Sequence, residues 1–471
     1  MAAVPRWVYR CTFYQIMPDR FCNGDPTNDP PGTRQWGERP TRRSFFGGDL
    51  QGIEQRLGYL QGLGVDALYL TPIFAAPSPH KYDTADYLRI DPAFGSQEDF
   101  RRLLGALHEG GMHLILDGVF NHSGDRHWAF MQAEREGPDS PTWDWYHFAG
   151  YPVRRRPRPN YAHAGIYYLP KWNLKNPSVT EYLLGAVRHW TAQGIDGWRL
   201  DVPWYVEGHD FWKAFNRTVR EINPEAYLVG EHWGDPSPWL GEDQFDGATD
   251  YRLREALIRF LRGQTRADEA GRTLEALATA YPSQHRLAMW NLVGSHDTPR
   301  VATVFRGNAE RIQAAFTVIF TFPGLPLIYY GDEVGLRGRN DPGCRRTFPW
   351  EDEASWDRGT FAHVQRLARI RRDSPALQEG SFRLVADAAG EPRGQPSGVI
   401  RYVREAENGD RCWVAVSNGA GVEELKWHLG APIERVEAAV SHGPVKWARV
   451  SPAEITLRFG REAASVVFRA P

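Results

Sequence analysis

The sequence predicts an α/β chain: a (β/α)8 TIM barrel, a small inserted domain after its third strand, and a C-terminal antiparallel β-sandwich. Three observations carry this. Over the first 370 or so residues, eight short apolar runs alternate with helix-like stretches. One segment of about 50 residues, 123–172, breaks that rhythm. Beyond Ser374 the chain turns to short β-branched and aromatic runs separated by Gly, Asn and Pro. A length of 471 residues also exceeds what a single core usually serves.

In chain order, barrel strands are expected at 12–16, 67–72, 113–119, 197–201, 227–231, 247–251, 292–295 and 325–330. Apolar runs of this length between helices read as parallel strands buried on both faces. Helices are expected at 96–109, 179–193, 209–222 and 309–321. The 123–172 segment is rich in Pro, Arg, Trp and Tyr. Loops this long inside a domain are usually functional, so it should wall one side of a cleft. Sandwich strands are expected at 399–404, 411–416, 433–436 and 465–468. The boundaries that follow are 1–122 with 174–373 for the barrel, 123–173 for the insert and 374–471 for the sandwich.

Composition narrows the function. With 42% hydrophobic and 24% charged residues the chain is an ordinary globular protein. A formal charge of −2 speaks against nucleic acid and anionic membranes as partners. No run approaches the ~18–20 apolar residues of a membrane span. The first ten residues lack the apolar core of a signal peptide, and Cys11, Cys22, Cys344 and Cys412 show no disulfide framework. Both fit reduced thiols in the cytoplasm. The 18 Trp are many; most will serve the core, but a minority can offer aromatic faces to sugar rings.

Three acids stand at the ends of apolar runs: Asp201 after 194–200, Glu231 after 226–230 and Asp297 after 291–296. One acid after a strand is ordinarily a helix N-cap. Three on the C-terminal face of a barrel, where active sites lie, suggest glycoside cleavage by paired carboxylates. Arg199 lies two residues before Asp201, so strand alternation puts both on one face. A guanidinium there should lower the Asp201 pKa and keep it ionised as a nucleophile. Glu231 would be the acid, protonated by low dielectric and neighbouring charge. Asp297 would grip sugar hydroxyls and favour the distorted ring of the transition state. His122 and His296, at the ends of the third and seventh strands, can hydrogen-bond hydroxyls as neutral imidazoles. The paired His and Cys spacings expected of zinc are missing.

The stretches 117–122, 197–201, 229–231 and 293–297 resemble, in order, the four sequence regions of the α-amylase family, glycoside hydrolase family 13. The resemblance implies a retaining mechanism on α-glucans, with Asp201 as nucleophile, Glu231 as acid/base and Asp297 as transition-state stabiliser. Tyr14–Phe21 (YQIMPDRF), His80–Tyr87 (HKYDTADY), Leu169–Asn173 (LPKWN) and Asn340–Arg345 (NDPGCR) are similar to the cyclomaltodextrinase, neopullulanase and maltogenic amylase group. That likeness implies that Tyr82 stacks on the sugar at subsite −1, that Asp83 braces it, and that Asp341 and Arg345 hold hydroxyls on the donor side. Trp233 is carried over as a further substrate contact.

The chain departs from the group at three places. The group's N-terminal domain has no counterpart before the first barrel strand, which is compatible with a monomer. Pro203-Trp204-Tyr205 replaces the usual Ala-Asn-Glu, and His232 replaces Ile beside Trp233. The last two changes fall at the acceptor subsites. Asn23, Asp25, Asn28 and Asp29 read by themselves as a turn, although calcium takes such hard oxygen ligands. The group's calcium loop matches there and at Gly47 and Asp49, so the resemblance implies structural Ca2+. The expected activity is hydrolysis of α-1,4 bonds in maltooligosaccharides or starch, with cyclodextrins and pullulan as further candidates. Transglycosylation is the alternative within the family, and a non-catalytic binding subunit the alternative outside it. All three carboxylates are present, against the latter.

Overall fold

A computed structural model describes residues 4–206, 208–385, 398–421, 423–429 and 437–469. Its centre is a parallel sheet whose strands follow one another in chain order: β1 (Phe13–Ile16), β2 (Ala67–Leu70), β3 (His113–Gly118), β4 (Gly197–Leu200), β5 (Tyr227–Gly230), β6 (Gly247–Ala248), β7 (Trp290–Leu292) and β8 (Leu325–Tyr329). β8 pairs with β1, and a parallel bridge from Thr249 to Trp290 joins β6 to β7, closing the barrel. Gly247 makes that seam possible, because a Cβ there would stand 1.9 Å from the Ala288 carbonyl oxygen. The barrel floor is packed with Phe13, Tyr69, Ile115, Tyr227, Trp290, Leu325 and Leu327, so it is a core and not a pore.

Between strands the chain forms the expected helices, with their ends set by local chemistry. Ser96 and Asp99 form a capping box at the start of Gln97–Glu109. Asn176 caps Pro177–Thr191, with Pro177 in the first turn where its missing N–H costs nothing. The helix Ala309–Thr321 is buried from Ala314 to Thr321, because it is packed between barrel and sandwich strands.

After β3 the chain builds a helix, Trp128–Glu136, and an irregular region held by antiparallel bridges from Tyr146 to Trp172 and from Phe148 to Tyr161. Phe130, Tyr146, Phe148 and Tyr161 make its aromatic core. A bridge from His122 to Lys171 ties it to the barrel mouth. The C-terminal region is two antiparallel sheets. One runs Ser381–Leu384, Val399–Glu405, Arg411–Ser417, Ala464–Arg469, Glu437–His442; the other runs Glu423–His428, Glu454–Phe459, Val445–Ser451. Trp413, Trp427, Leu457 and Phe468 fill the space between them. Among the described residues no helix is long and apolar enough to cross a membrane.

Three expectations shift. The seventh strand lies at Trp290–Leu292, not 292–295, and stops five residues before Asp297. The sixth shrinks to Gly247–Ala248, because Asp250 caps a helix that starts at Tyr251. The three-stranded sheet and the strand Ser381–Leu384 are additions, while 433–436 lies outside the described residues.

Candidate active site

Strand register assembles the centre. Asp117 on β3 pairs with Arg199 on β4, and Asp201 and Glu231 each follow the last residue of their strands. Their backbones continue the ladder: Asp201 N–H donates to the Gly118 carbonyl and Glu231 N–H to that of Leu200, each at 3.0 Å. Arg199, 2% exposed, is the hub. Its Nη1 stands 2.9 Å from Asp117 Oδ1 and 3.0 Å from Asp201 Oδ1, and its Nη2 stands 2.8 Å from Glu231 Oε2. One guanidinium therefore serves three carboxylates, and Asp201 Oδ2 is left for a substrate.

That sharing corrects an expectation. Arg199 does pull Asp201 down, but burial together with Glu231, Asp117 and Asp297 outweighs it, and the Asp201 carboxyl is pushed up. Burial and Asp297 push Glu231 up as well, against Arg199. The two buried carboxyls share one cation, and both are pushed up together. Asp297 goes the other way. Burial alone would raise it, but the hydrogen bond from His296 and the guanidinium of Arg345 hold it below the usual carboxylate range. His296 Nε2 is 3.0 Å from Asp297 Oδ2, and Arg345 Nη2 is 2.9 Å from Oδ1. Arg345 also donates to the His296 carbonyl and faces Asp341 at 3.2 Å.

Of the other expected residues, Tyr82 donates to Asp117 Oδ2 and lies parallel to His296, with ring centroids 5.4 Å apart. Asp83 is buried and accepts from Ser78, bracing the turn from which Tyr82 projects. His122 is buried; Asn121 Nδ2 contacts its Nδ1 while its Nε2 finds no partner. Burial lowers His122 to about 4, so it is a neutral imidazole. Trp233 stacks flat on Tyr251 at 3.9 Å and donates to Glu231 Oε1, leaving a 45% exposed platform beside the acid. His232, in contrast, is buried between Trp204 and Trp239.

Sequence reasoning did not single out Asp117 or Tyr69 as members of the centre, nor Val202. Asp117 had a signal: strand alternation and register place it beside Arg199. Val202 had none. It is a β-branched residue in the left-handed region, φ 36° and ψ 53°, and its N–H donates to Glu231 Oε2 at 3.1 Å. Such a conformation costs on the order of 1–3 kcal/mol and tends to occur at functional sites.

The six expected metal ligands gather in one loop. Asn23 Nδ2 donates to Asp29, and Asn28 Nδ2 to Asp49. Asn23 Oδ1 and Asn28 Oδ1 are buried and find no partner among the described residues. A Cβ on Gly47 would stand 2.0 Å from Asp29 Oδ1, so the glycine lets the backbone approach. Asp25 spends one oxygen on Thr27, and Asp49 caps the following helix. No three His, Cys, Asp or Glu among the described residues form a ready metal cluster, so the case rests on amides and carboxylates together. Orphaned hard oxygens beside carboxylates fit a calcium ion.

Residues 15–358 match the alpha amylase catalytic domain family. Neopullulanase 2 of Thermoactinomyces vulgaris is 47% identical over 384 residues, covering 80% of this chain and 65% of that protein. A cyclomaltodextrinase of Geobacillus thermopakistaniensis is 44% identical over 386 residues, covering 81% and 65%. The chain thus spans just under two thirds of these relatives. The cyclic alpha-maltosyl-(1→6)-maltose hydrolase of Arthrobacter globiformis, solved with its namesake sugar, superposes with a TM-score of 0.88 at 37% identity, covering 99% of this chain and all of that one.

Proposed function

This chain belongs to the alpha-amylase family, and from that premise we propose a retaining hydrolase of α-1,4-glucosidic bonds in maltooligosaccharides and starch, with cyclodextrins and pullulan as further candidate substrates. The observation that carries the reading is the single guanidinium of Arg199 joining Asp117, Asp201 and Glu231, with Asp297 held ionised nearby. Glu231 gives its proton to the glycosidic oxygen as the bond to C1 breaks, and Asp201 Oδ2 attacks C1 from the opposite face. Glu231 acts as the protonated acid and Asp201 as the carboxylate, because positive charge growing at C1 in the transition state favours an ionised Asp201. Glu231, now a carboxylate, takes a proton from water as the water oxygen bonds to C1 and the bond from C1 to Asp201 Oδ2 breaks; this second inversion releases the sugar with its anomeric configuration retained. Asp297 and Arg345 grip hydroxyls of the distorted ring.

Structural calcium is part of the proposal. Asn23, Asn28, Asp29 and Asp49 would hold it, with Asp25 and Gly47 shaping the loop. When bound, it would neutralise the local carboxylates and rigidify the segment. Phe46 N–H donates to Asp19, whose neighbour Arg20 donates to the Arg345 carbonyl, so this loop braces the donor side. A cytoplasmic location is supported by four buried, unpaired cysteines.

Digestion of starch, pullulan and β-cyclodextrin in parallel, with NMR of the first anomer released, tests the reading. α-Anomeric products support it; β-anomers or no cleavage overturn it, and longer oligosaccharides from maltose would shift it to transglycosylation. A second reading, cleavage at α-1,6-linked maltosyl units, rests on the full-length likeness to the Arthrobacter enzyme. Panose left intact from pullulan would count against it.

A further inference from the structure

Gln15 lies on β1, is 1% exposed, and places its amide nitrogen 2.6 Å from His296 Nδ1. Across the imidazole, Nε2 stands 2.7 Å from the Tyr82 hydroxyl and 3.0 Å from Asp297 Oδ2. Counting protons along this row fixes its direction. Asp117, paired with Arg199, accepts from the hydroxyls of Tyr69 at 2.6 Å and Tyr82 at 2.8 Å. Tyr82 has one proton and gives it to Asp117, so its oxygen accepts from His296 Nε2. An ionised Asp297 can likewise only accept. Nε2 therefore carries hydrogen, and Nδ1 is free to accept from the amide of Gln15.

We infer that Gln15 is a positioning residue that holds His296 as the neutral Nε2–H tautomer, aiming that hydrogen at Tyr82 and Asp297. Reversing the amide would put its carbonyl at Nδ1 and demand an imidazolium. It would also turn the NH2 group to the place where Gln15 Oε1 now finds no partner. Two unpaired donors there are worse than one unpaired carbonyl. With its tautomer fixed, the ring lies within 6° of the Tyr82 plane, so the hydrogen that orients Asp297 is in place before substrate arrives. The kinetic part of the test rests on the glycosidase reading; the spectroscopic part stands on these side chains alone.

The test is 15N NMR of histidine-labelled protein at a pH of full activity, with His296→Asn identifying the signals. The expected wild-type spectrum shows His296 protonated on Nε2 only; an imidazolium, or a proton on Nδ1, overturns the inference without further variants. Gln15→Met keeps the volume and removes the N–H. It should mix the two tautomers and lower kcat roughly 10- to 100-fold, by analogy with partners that orient metal-bound histidines, with KM little changed. Gln15→Glu can only accept, should draw a proton to Nδ1, and should lower kcat further. A Gln15→Met enzyme with wild-type kcat and unchanged His296 nitrogens also overturns it. A wild-type protein inactive on every α-glucan but showing the Nε2–H signal would sink the proposed function and leave this assignment standing.

Discussion

Two buried arginine clusters in this molecule meet opposite chemistry. At the barrel mouth Arg199 faces three carboxylates, and Asp117 and Glu231, with Tyr69 and Tyr82, outweigh burial to push its pKa up. Where barrel meets sandwich, Arg371 and Arg404 are equally buried but face only carbonyls. Arg371 donates to the carbonyls of Tyr9, Phe320, Gly324 and Leu377, and Arg404 to those of Thr321, Gly380 and Ser381. Burial lowers them to about 10 and about 9. Carbonyls cannot titrate, so the acceptors at the junction stay the same at every pH. The mouth sets three carboxylates around one guanidinium, and the Asp201 and Glu231 carboxyls are pushed up. One cluster locks geometry and the other stores chemistry.

Removing a carboxylate from the mouth should therefore abolish activity without harming the fold. Asp201→Asn and Glu231→Gln are each expected to cut kcat on maltotriose by on the order of 10⁴-fold or more. Their melting temperatures should equal or exceed that of the parent, since each relieves repulsion among buried acids. Loss of activity together with a large fall in Tm would remove the contrast with the junction.

The reverse is expected of Arg404→Met. Three buried carbonyls lose their donor, which should cost about 3–5 kcal/mol in urea unfolding. The specific activity of the folded fraction should be unchanged. A strong effect on kcat would mean that the junction also shapes the mouth.

Glu333 sharpens the comparison, since it is a buried acid with no cation. The hydroxyls of Tyr14 and Tyr59 donate to its Oε1, and burial lifts it to about 7. A folded-state pKa raised above the unfolded 4.5 means that the folded protein binds the proton more tightly. Stability from this group is then present below about pH 4.5 and lost as pH rises through 7. Glu333→Gln should stabilise the protein at pH 8 by up to about 3 kcal/mol, and by much less at pH 5. Thermal melts at both pH values check it; an equal effect at both would show that packing, not titration, governs the site.

The two regions also differed in how readable they were. Asp201 and Glu231 were legible because strand periodicity ends on them. Asp297 was legible from its motif even though β7 stops at Leu292 and a turn through Ser295 and Thr298 presents it. The ionisation of Asp201 was misjudged, because one neighbour in sequence, Arg199, is shared with two partners from other strands. Gln15 was silent, since its partner is 281 residues away. Arg404 sits in the run Val-Ile-Arg-Tyr-Val-Arg, where alternation puts it on the face of Ile400 and Tyr402; its carbonyl partners come from Thr321, Gly380 and Ser381, outside that run, and alternation does not show them. The strand Val445–Ser451 hid because Lys446, Arg449 and its other residues lie on an exposed face.

The smallest expected effect separates the calcium loop from both clusters. Its carboxylates have no arginine hub; burial raises Asp29 and Asp49, with Asp49 and Asp25 adding repulsion at Asp29. A divalent ion is the partner that would relieve this, through Asn23 Oδ1 and Asn28 Oδ1 as well. At a hundredfold excess over its Kd it would stabilise the fold by about 2.7 kcal/mol. Chelation should lower Tm by a few degrees, and added Ca2+ should restore it where equimolar Mg2+ does not, because Mg2+ demands a tighter octahedron. Asp29→Ala should show a low Tm that no longer responds to either treatment, and should lose the luminescence of directly excited, bound terbium. If Asp29→Ala responds to chelation as the parent does, any bound calcium lies elsewhere, and this loop is the turn that its Asn, Asp, Gly and Pro content first suggested.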